Sequence, residues 1–422
     1  MTFKSTLKYF SHILKSAGSW MIAGGLFQAA SGFGANIVLA RNLEISDFGQ
    51  YAVIHSIIGL TALLINSCVG TLIINTKDSS FDKNYKNKLH SVFILECILL
   101  VCLASFGSSL FGQLNFNTTV LLIGTIIMGW TDFQMKFIER RKQFKNVAVI
   151  ETWSEIISHI LSVIGLLVGF GAIVLYARFL LKGFLKILFL KLYGTTLNMQ
   201  FGRITLNWLY NYLYSVRLFY FNGMLESGLE RLTILFLGAF SGVKETGYFF
   251  QARRLAGVPH QILHPYFTRM LFNTFSRNDS FQLAFRTLNK NMFILLIILT
   301  IALFLTFTIG RDVIVFIFGV KWEPVITIVY ALSGVIATIT PFELLKVFCQ
   351  AKSENMSMFL YIGRGTQYFF FVTAALVAIL LGDHYVVILS AGISAGYLLG
   401  SIVLYISLYK IQSDLKLENT KF

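Results

Sequence analysis

Apolar stretches of about 20 residues, each closed by a short polar or basic connector, recur from Gly18 to Tyr409. A helix of about 20 residues crosses a hydrocarbon core of roughly 30 Å, so each stretch predicts a membrane span. The stretches run over 17–40, 49–74, 91–111, 118–138, 147–168, 172–192, 216–240, 246–272, 291–310, 325–349, 356–381 and 385–409. They predict an all-α polytopic membrane protein of about twelve transmembrane helices. The first stretch is too long for the core of a cleaved signal and lacks a small-residue cleavage site, so it is expected to remain as a span.

An even number of spans leaves both termini in one compartment, and the basic residues say which. Alternate connectors, with both ends, carry twenty Lys/Arg, among them Lys4, Lys83, Arg141 and Lys410; the others carry Arg41, Lys244, Arg311 and Lys321. The positive-inside rule then places both ends in the cytoplasm. The same distribution explains the net charge of +15 without a nucleic-acid partner, because basic loops beside an anionic leaflet need only lipid. Cys68, Cys97, Cys102 and Cys349 all lie in apolar stretches without metal or redox spacing.

No connector is long enough for a separate domain. The expected organisation is an N-terminal six-helix bundle over 1–192, a cytoplasmic amphipathic linker over 193–215 and a C-terminal six-helix bundle over 216–422, the two bundles around a central cavity. An internal echo supports two halves: Leu39–Tyr51 (LARNLEISDFGQY) aligns with Leu237–Phe249 (LGAFSGVKETGYF) at an offset of 198 residues. In each copy an acidic residue, Asp47 or Glu245, precedes Gly49 or Gly247 by two positions. A parallel repeat of six-span halves is a common transporter plan.

The charges left inside the spans carry the chemistry. Arg178, Lys182 and Lys186 recur every four residues and form one basic stripe on the sixth span. A cation at mid-helix costs about 2.5–3.5 kcal/mol on insertion scales. Arg178, Lys182, Arg231, Arg253, Arg254 and Arg364 are therefore expected to face a polar cavity and meet an anionic substrate. Lys136, Arg217, Arg269 and Lys346 lie near span ends and are expected to snorkel to headgroups. Glu226 and Glu230, an i, i+4 pair on the seventh span, are candidates for proton or sodium coupling, unless Glu230 pairs with Arg253 or Arg254. Glu155 and Asp132 are lesser candidates. Asp132 with Lys136, and Glu343 with Lys346, have the spacing of structural pairs. No catalytic constellation, Walker sequence or cofactor motif occurs, and His260 with His264 lack further metal ligands at suitable spacing.

Three stretches resemble one family: Ala40–Ala52 (ARNLEISDFGQYA), Glu226–Gly238 (ESGLERLTILFLG) and Thr246–Gly257 (TGYFFQARRLAG). They are similar to the polysaccharide flippases of the multidrug/oligosaccharidyl-lipid/polysaccharide exporter superfamily, which include O-antigen and capsule-repeat transporters. The pattern departs from that family at Glu44 and Glu230, where Gly and Asp are commoner. The resemblance implies transport of an undecaprenyl-pyrophosphate-linked oligosaccharide between the leaflets of a bacterial inner membrane. It further implies membrane lipid as a partner and a polysaccharide polymerase with chain-length machinery as pathway partners. The alternatives are a drug or cation efflux carrier, for which an acidic cavity is expected, and a membrane glycosyl polymerase, for which a long outer loop is expected.

Overall fold

The computed structural model describes residues 17–65, 68–76, 81–194, 200–265, 271–277, 280–352 and 354–419. Its helices fall on all twelve apolar stretches. They are α1 Ala17–Asn42, α2 Ile45–Ile65, α3 Val69–Asn75, α4 Lys83–Leu110, α5 Phe116–Arg140, α6 Phe144–Leu167, α7 Ile173–Leu192 and α8 Leu206–Phe240. The later helices are α9 Val243–Ala256, α10 Val258–Pro265, α11 Phe272–Arg277, α12 Phe281–Phe318, α13 Val325–Ala331, α14 Ser333–Lys352, α15 Glu354–Leu381 and α16 Tyr385–Asn419. A 3-10 turn, Val320–Trp322, precedes α13, and no strand occurs among the described residues.

Seven of these helices, α2, α4, α6, α12, α14, α15 and α16, combine spanning length with a strongly apolar composition. The polarity of α5, α7 and α8 comes from the charged residues that mark them as chemically interesting: Asp132 and Lys136, the Arg178–Lys186 stripe, and Glu226 to Arg231. Outward faces are apolar, as lipid requires. On α12, Phe293, Ile297, Ile301, Phe304 and Phe316 are all exposed.

Three expected spans are broken. The second bends at Cys68, which adopts a left-handed backbone (φ 55°) before α3. The eighth divides at Gly257, whose N–H bonds back to the Arg253 carbonyl at 3.1 Å. Pro259 then sits in the first turn of α10, where its missing N–H costs nothing. The tenth is divided at Leu332 between α13 and α14. Conversely, the second half of the expected linker is helical and continuous with the seventh span. At 35 residues α8 is roughly 50 Å long, more than one hydrocarbon thickness.

The chain forms two compact units. One comprises Met1–Leu43 with Val53–Arg231, the other Glu44–Ala52 with Leu232–Phe422. In the first unit, α1 packs on α6, and α5 and α6 pack on α7. Glycine brings α5 and α7 to backbone distance. A Cβ at Gly124 would lie 2.7 Å from Leu180 N, and one at Gly183 would lie 2.6 Å from Ile127 Cγ2. Such close approach is how helices without a hydrophobic drive between them gain contact in a membrane. In the second unit, Gly392, Gly396 and Gly400 of α16 form a comparable ladder against α15. Gly400 sits so near Gly363 that a Cβ would fall 2.7 Å from its carbonyl oxygen. Beside this ladder, Phe275, Phe285, Phe342 and Phe348 fill the core.

The second unit also contains Glu44–Tyr51 of the first echo copy and the whole of the second. A Cβ on Gly49 would overlap the Val243 carbonyl, and a Cβ on Gly247 would overlap the Ile45 carbonyl. Residues 45 and 49 correspond to 243 and 247 at the offset of 198, so the contact is reciprocal. Trp322, fully buried, packs edge-on to Phe48 and Tyr248 with ring centroids 5.3 and 6.2 Å away.

Candidate functional site

The four-residue spacing places the cations of α7 on one face, and the folded first unit supplies carboxylates to that face from two neighbouring helices. Lys186 Nζ donates to Asp132 Oδ1 of α5 at 2.6 Å. Lys182 pairs with Glu155 of α6, and the other Glu155 oxygen meets His159 Nε2 at 3.1 Å. Arg178 lies with its guanidinium carbon 5.6 Å from the Phe179 ring centroid. Spacing on α6 explains this geometry: Glu151, Glu155 and His159 recur every four residues and share the side that packs on α7. The basic stripe is thus balanced by carboxylates.

Those partners correct one expectation. Asp132 does not pair with Lys136; it serves Lys186, while Lys136 donates to Glu139 at 2.8 Å. Depth is the reason. Lys186 is only 3% exposed and cannot reach headgroups, so it takes the nearest carboxylate, whereas Lys136 is 36% exposed at the end of its helix.

A cavity of about 470 Å³ opens within the same unit. Its wall is largely apolar, with Ile58, Leu63, Phe93, Leu100, Met128 and Phe133. Its polar positions are His55, Glu96, Thr125, Asp132, Lys136 and Arg231. Arg231 is fixed by donating from Nη1 to the His55 carbonyl at 3.0 Å. Gly59, one turn beyond His55, makes room for it, because any Cβ there would coincide with the guanidinium. A mostly apolar pocket with a few convergent polar groups is the usual form of a small-ligand site. Phe179 also lines it, so the α7 stripe and the cavity adjoin.

The remaining candidates lie elsewhere. Glu226 and Glu230 are both exposed on α8. Arg253 and Arg254, half-buried, occupy the last turn of α9, where the helix dipole favours positive charge. Arg364 of the second unit is 4% exposed. It donates from Nη1 to Gln367 Oε1 at 3.0 Å and from Nη2 to Glu343 Oε1 at 3.3 Å, and it covers the Phe342 ring at 4.5 Å. Glu343 also pairs with Lys346 at 2.5 Å, as their spacing predicts. Sequence reasoning passed over His55, Glu96 and Gly59. Lone residues in apolar stretches gave no signal, although an acidic residue at position 96 inside a span could have given one.

A family model described as polysaccharide biosynthesis protein matches residues 38–327. No curated protein matches the chain. Solved structures of similar fold include the eukaryotic MATE transporter AtDTX14, at 15% identity over 93% of this chain and 95% of that one, with a TM-score of 0.60. A MATE in the bent conformation shares 14% identity over 96% of both chains, with a TM-score of 0.57. The Vibrio cholerae MATE transporter VcmN in the bent form shares 13% over 98% of this chain and 99% of that one, with a TM-score of 0.53. At these identities the likeness is one of fold: twelve helices in two bundles.

Proposed function

The chain belongs to the polysaccharide biosynthesis protein family, and we propose that it works there as a flippase for an undecaprenyl-pyrophosphate-linked oligosaccharide repeat unit, of O-antigen or capsular type. The repeat unit moves from the cytoplasmic to the periplasmic leaflet of a bacterial inner membrane by alternating access. Both termini are cytoplasmic in this reading. A polymerase and chain-length machinery would receive the product. Family and fold point to transport, and no covalent step is assigned to any residue.

The observation that carries the reading is the set of cations retained inside the spans of a family member. Within the first unit Arg178, Lys182 and Arg231, and within the second unit Arg253, Arg254 and Arg364, are each proposed as contacts for pyrophosphate or an acidic sugar. A cation inside a span is expensive in lipid; Lys182, Arg231 and Arg364 are held by Glu155, the His55 carbonyl and Glu343, and an anionic cargo would draw on them from those settings. Glu226 and Glu230 are the proposed coupling groups, to which their exposure gives access. The test is genetic. Arg253→Glu or Arg254→Glu should abolish surface polysaccharide in cells that depend on this protein, and Lys136→Ala should preserve it. Equal tolerance of all three would remove the proposed anion path.

One observation favours a second reading, ion-coupled efflux of an organic cation. Glu96 and Asp132 on the cavity lining, beside Phe93 and Phe133, are groups that a lipophilic cation would seek. Altered drug resistance with normal surface polysaccharide in cells lacking the protein would select it.

A further inference from the structure

Two carboxylates hold the α7 lysines, but they do so in different settings. Glu155, which serves Lys182 and His159, is not part of the cavity lining. Asp132 is. Its side chain is 52% exposed and lies on the cavity wall, whereas Lys186 behind it is 3% exposed. Burying the carboxylate as well would strengthen its pull on Lys186 but would desolvate a second charge. Here the anionic member remains accessible to anything that enters the cavity. Lys136 and Arg231 lie on the same lining, and the wall between them is apolar and aromatic.

We propose that this cavity is a binding site for the diphosphate end of an isoprenoid lipid, with Asp132 as a displaceable placeholder on Lys186. The inference rests on the reading of a diphosphate-linked cargo. An entering diphosphate takes the place of the Asp132 carboxylate against the Lys186 ammonium. Arg231 binds its remaining oxygens while Lys136 stays with Glu139, and the first isoprene units pack on Phe93, Met128 and Phe133. Until then the buried lysine keeps a counter-ion, so the empty site carries no unpaired charge in the membrane. Glu96 of α4 repels the anion and confines it to the side formed by α5, α7 and α8. Glu155 keeps its purely structural role.

Isothermal titration of the full-length protein in detergent with inorganic pyrophosphate tests this. Removing the placeholder charge removes a competitor, so Asp132→Asn should bind pyrophosphate more tightly, by about fivefold or more, the lower bound of typical coupling between competing sites. Asp132→Asn/Lys186→Gln should lose that gain while eluting as a folded protein, and Glu155→Gln should not tighten binding. If Asp132→Asn fails to fold, the wild type decides. Pyrophosphate should then accelerate carbodiimide labelling of Asp132, read by mass spectrometry, because the carboxylate is set free. Binding of pyrophosphate with unchanged or weaker affinity in folded Asp132→Asn, or with unchanged or slower labelling, overturns the placeholder and leaves the export reading standing. Absence of pyrophosphate binding in both proteins, with tight binding of a lipophilic cation, overturns both.

Discussion

Replacing Gly247 with alanine sets two effects against each other. In an unobstructed helix the change stabilises by up to about 1 kcal/mol, because alanine loses less backbone freedom than glycine. At position 247 the new methyl would overlap the Ile45 carbonyl oxygen and lie 3.1 Å from Ile45 Cγ2 and 3.2 Å from Gly49 N. Two of these three atoms are backbone of α2, so no rotamer change relieves them; the helices must part. Overpacking of this kind costs about 1–3 kcal/mol. The contact outweighs the propensity, and the net loss should be roughly 1–2 kcal/mol, or about 5- to 30-fold in the folded ratio. Gly49→Ala meets Val243 in the reciprocal way and should behave alike. Since either methyl opens the same crossing, the double variant should cost less than the sum of the singles. Gly365→Ala is the control: nothing lies within 4 Å of a Cβ there, and it should stabilise or leave stability unchanged. Thermal denaturation of the purified proteins in detergent reads all four. Gly247→Ala at or above wild-type stability, or strict additivity with Gly49→Ala, would refute the reciprocal crossing.

Further outcomes follow from other contacts. Arg364→Leu should destabilise by about 3 kcal/mol, the lower end for breaking a buried pair, because Lys346 still neutralises Glu343; a melting temperature equal to wild type would contradict this. Trp322→Ala, at a fully buried position against Phe48 and Tyr248, should cost about 3–5 kcal/mol in the same assay. Gly59→Val should displace the Arg231 guanidinium and reduce surface polysaccharide as severely as Arg231→Ala, with normal membrane abundance by immunoblot. Glu226→Gln and Glu230→Gln should abolish ion-driven transport in proteoliposomes without lowering expression, and unchanged transport in both would exclude them as coupling groups.

The hydrophobic pattern made the twelve helical passages legible because the bilayer sets one length for all of them. It did not reveal the interruption at Cys68, which is a local backbone choice in an apolar stretch, or the helical start of α8 at Leu206, where the sequence reads as a connector. The offset of 198 residues pointed to Gly49 and Gly247, but only packing shows that each glycine faces the other copy's carbonyl. Charges were the least legible. Spacing within a helix correctly joined Glu343 to Lys346, yet it joined Asp132 to Lys136, because one-dimensional spacing does not show that Lys186 lies deeper on α7 and needs Asp132 more. Arg364 likewise read as a bare charge, whereas its partner Glu343 is 21 positions away on another helix. The cavity of the first unit was invisible for the same reason. Its lining comes from six helices, and each contributes residues that look ordinary in their own stretch.

The most direct measurement is the leaflet distribution of the lipid-linked oligosaccharide in cells with and without this protein, together with surface polysaccharide. Export predicts accumulation in the cytoplasmic leaflet and loss of surface polysaccharide without it, both restored by the wild-type chain and neither by Arg253→Glu. A normal distribution between leaflets in its absence, accompanied by increased drug sensitivity, would contradict export and identify a cation efflux carrier instead.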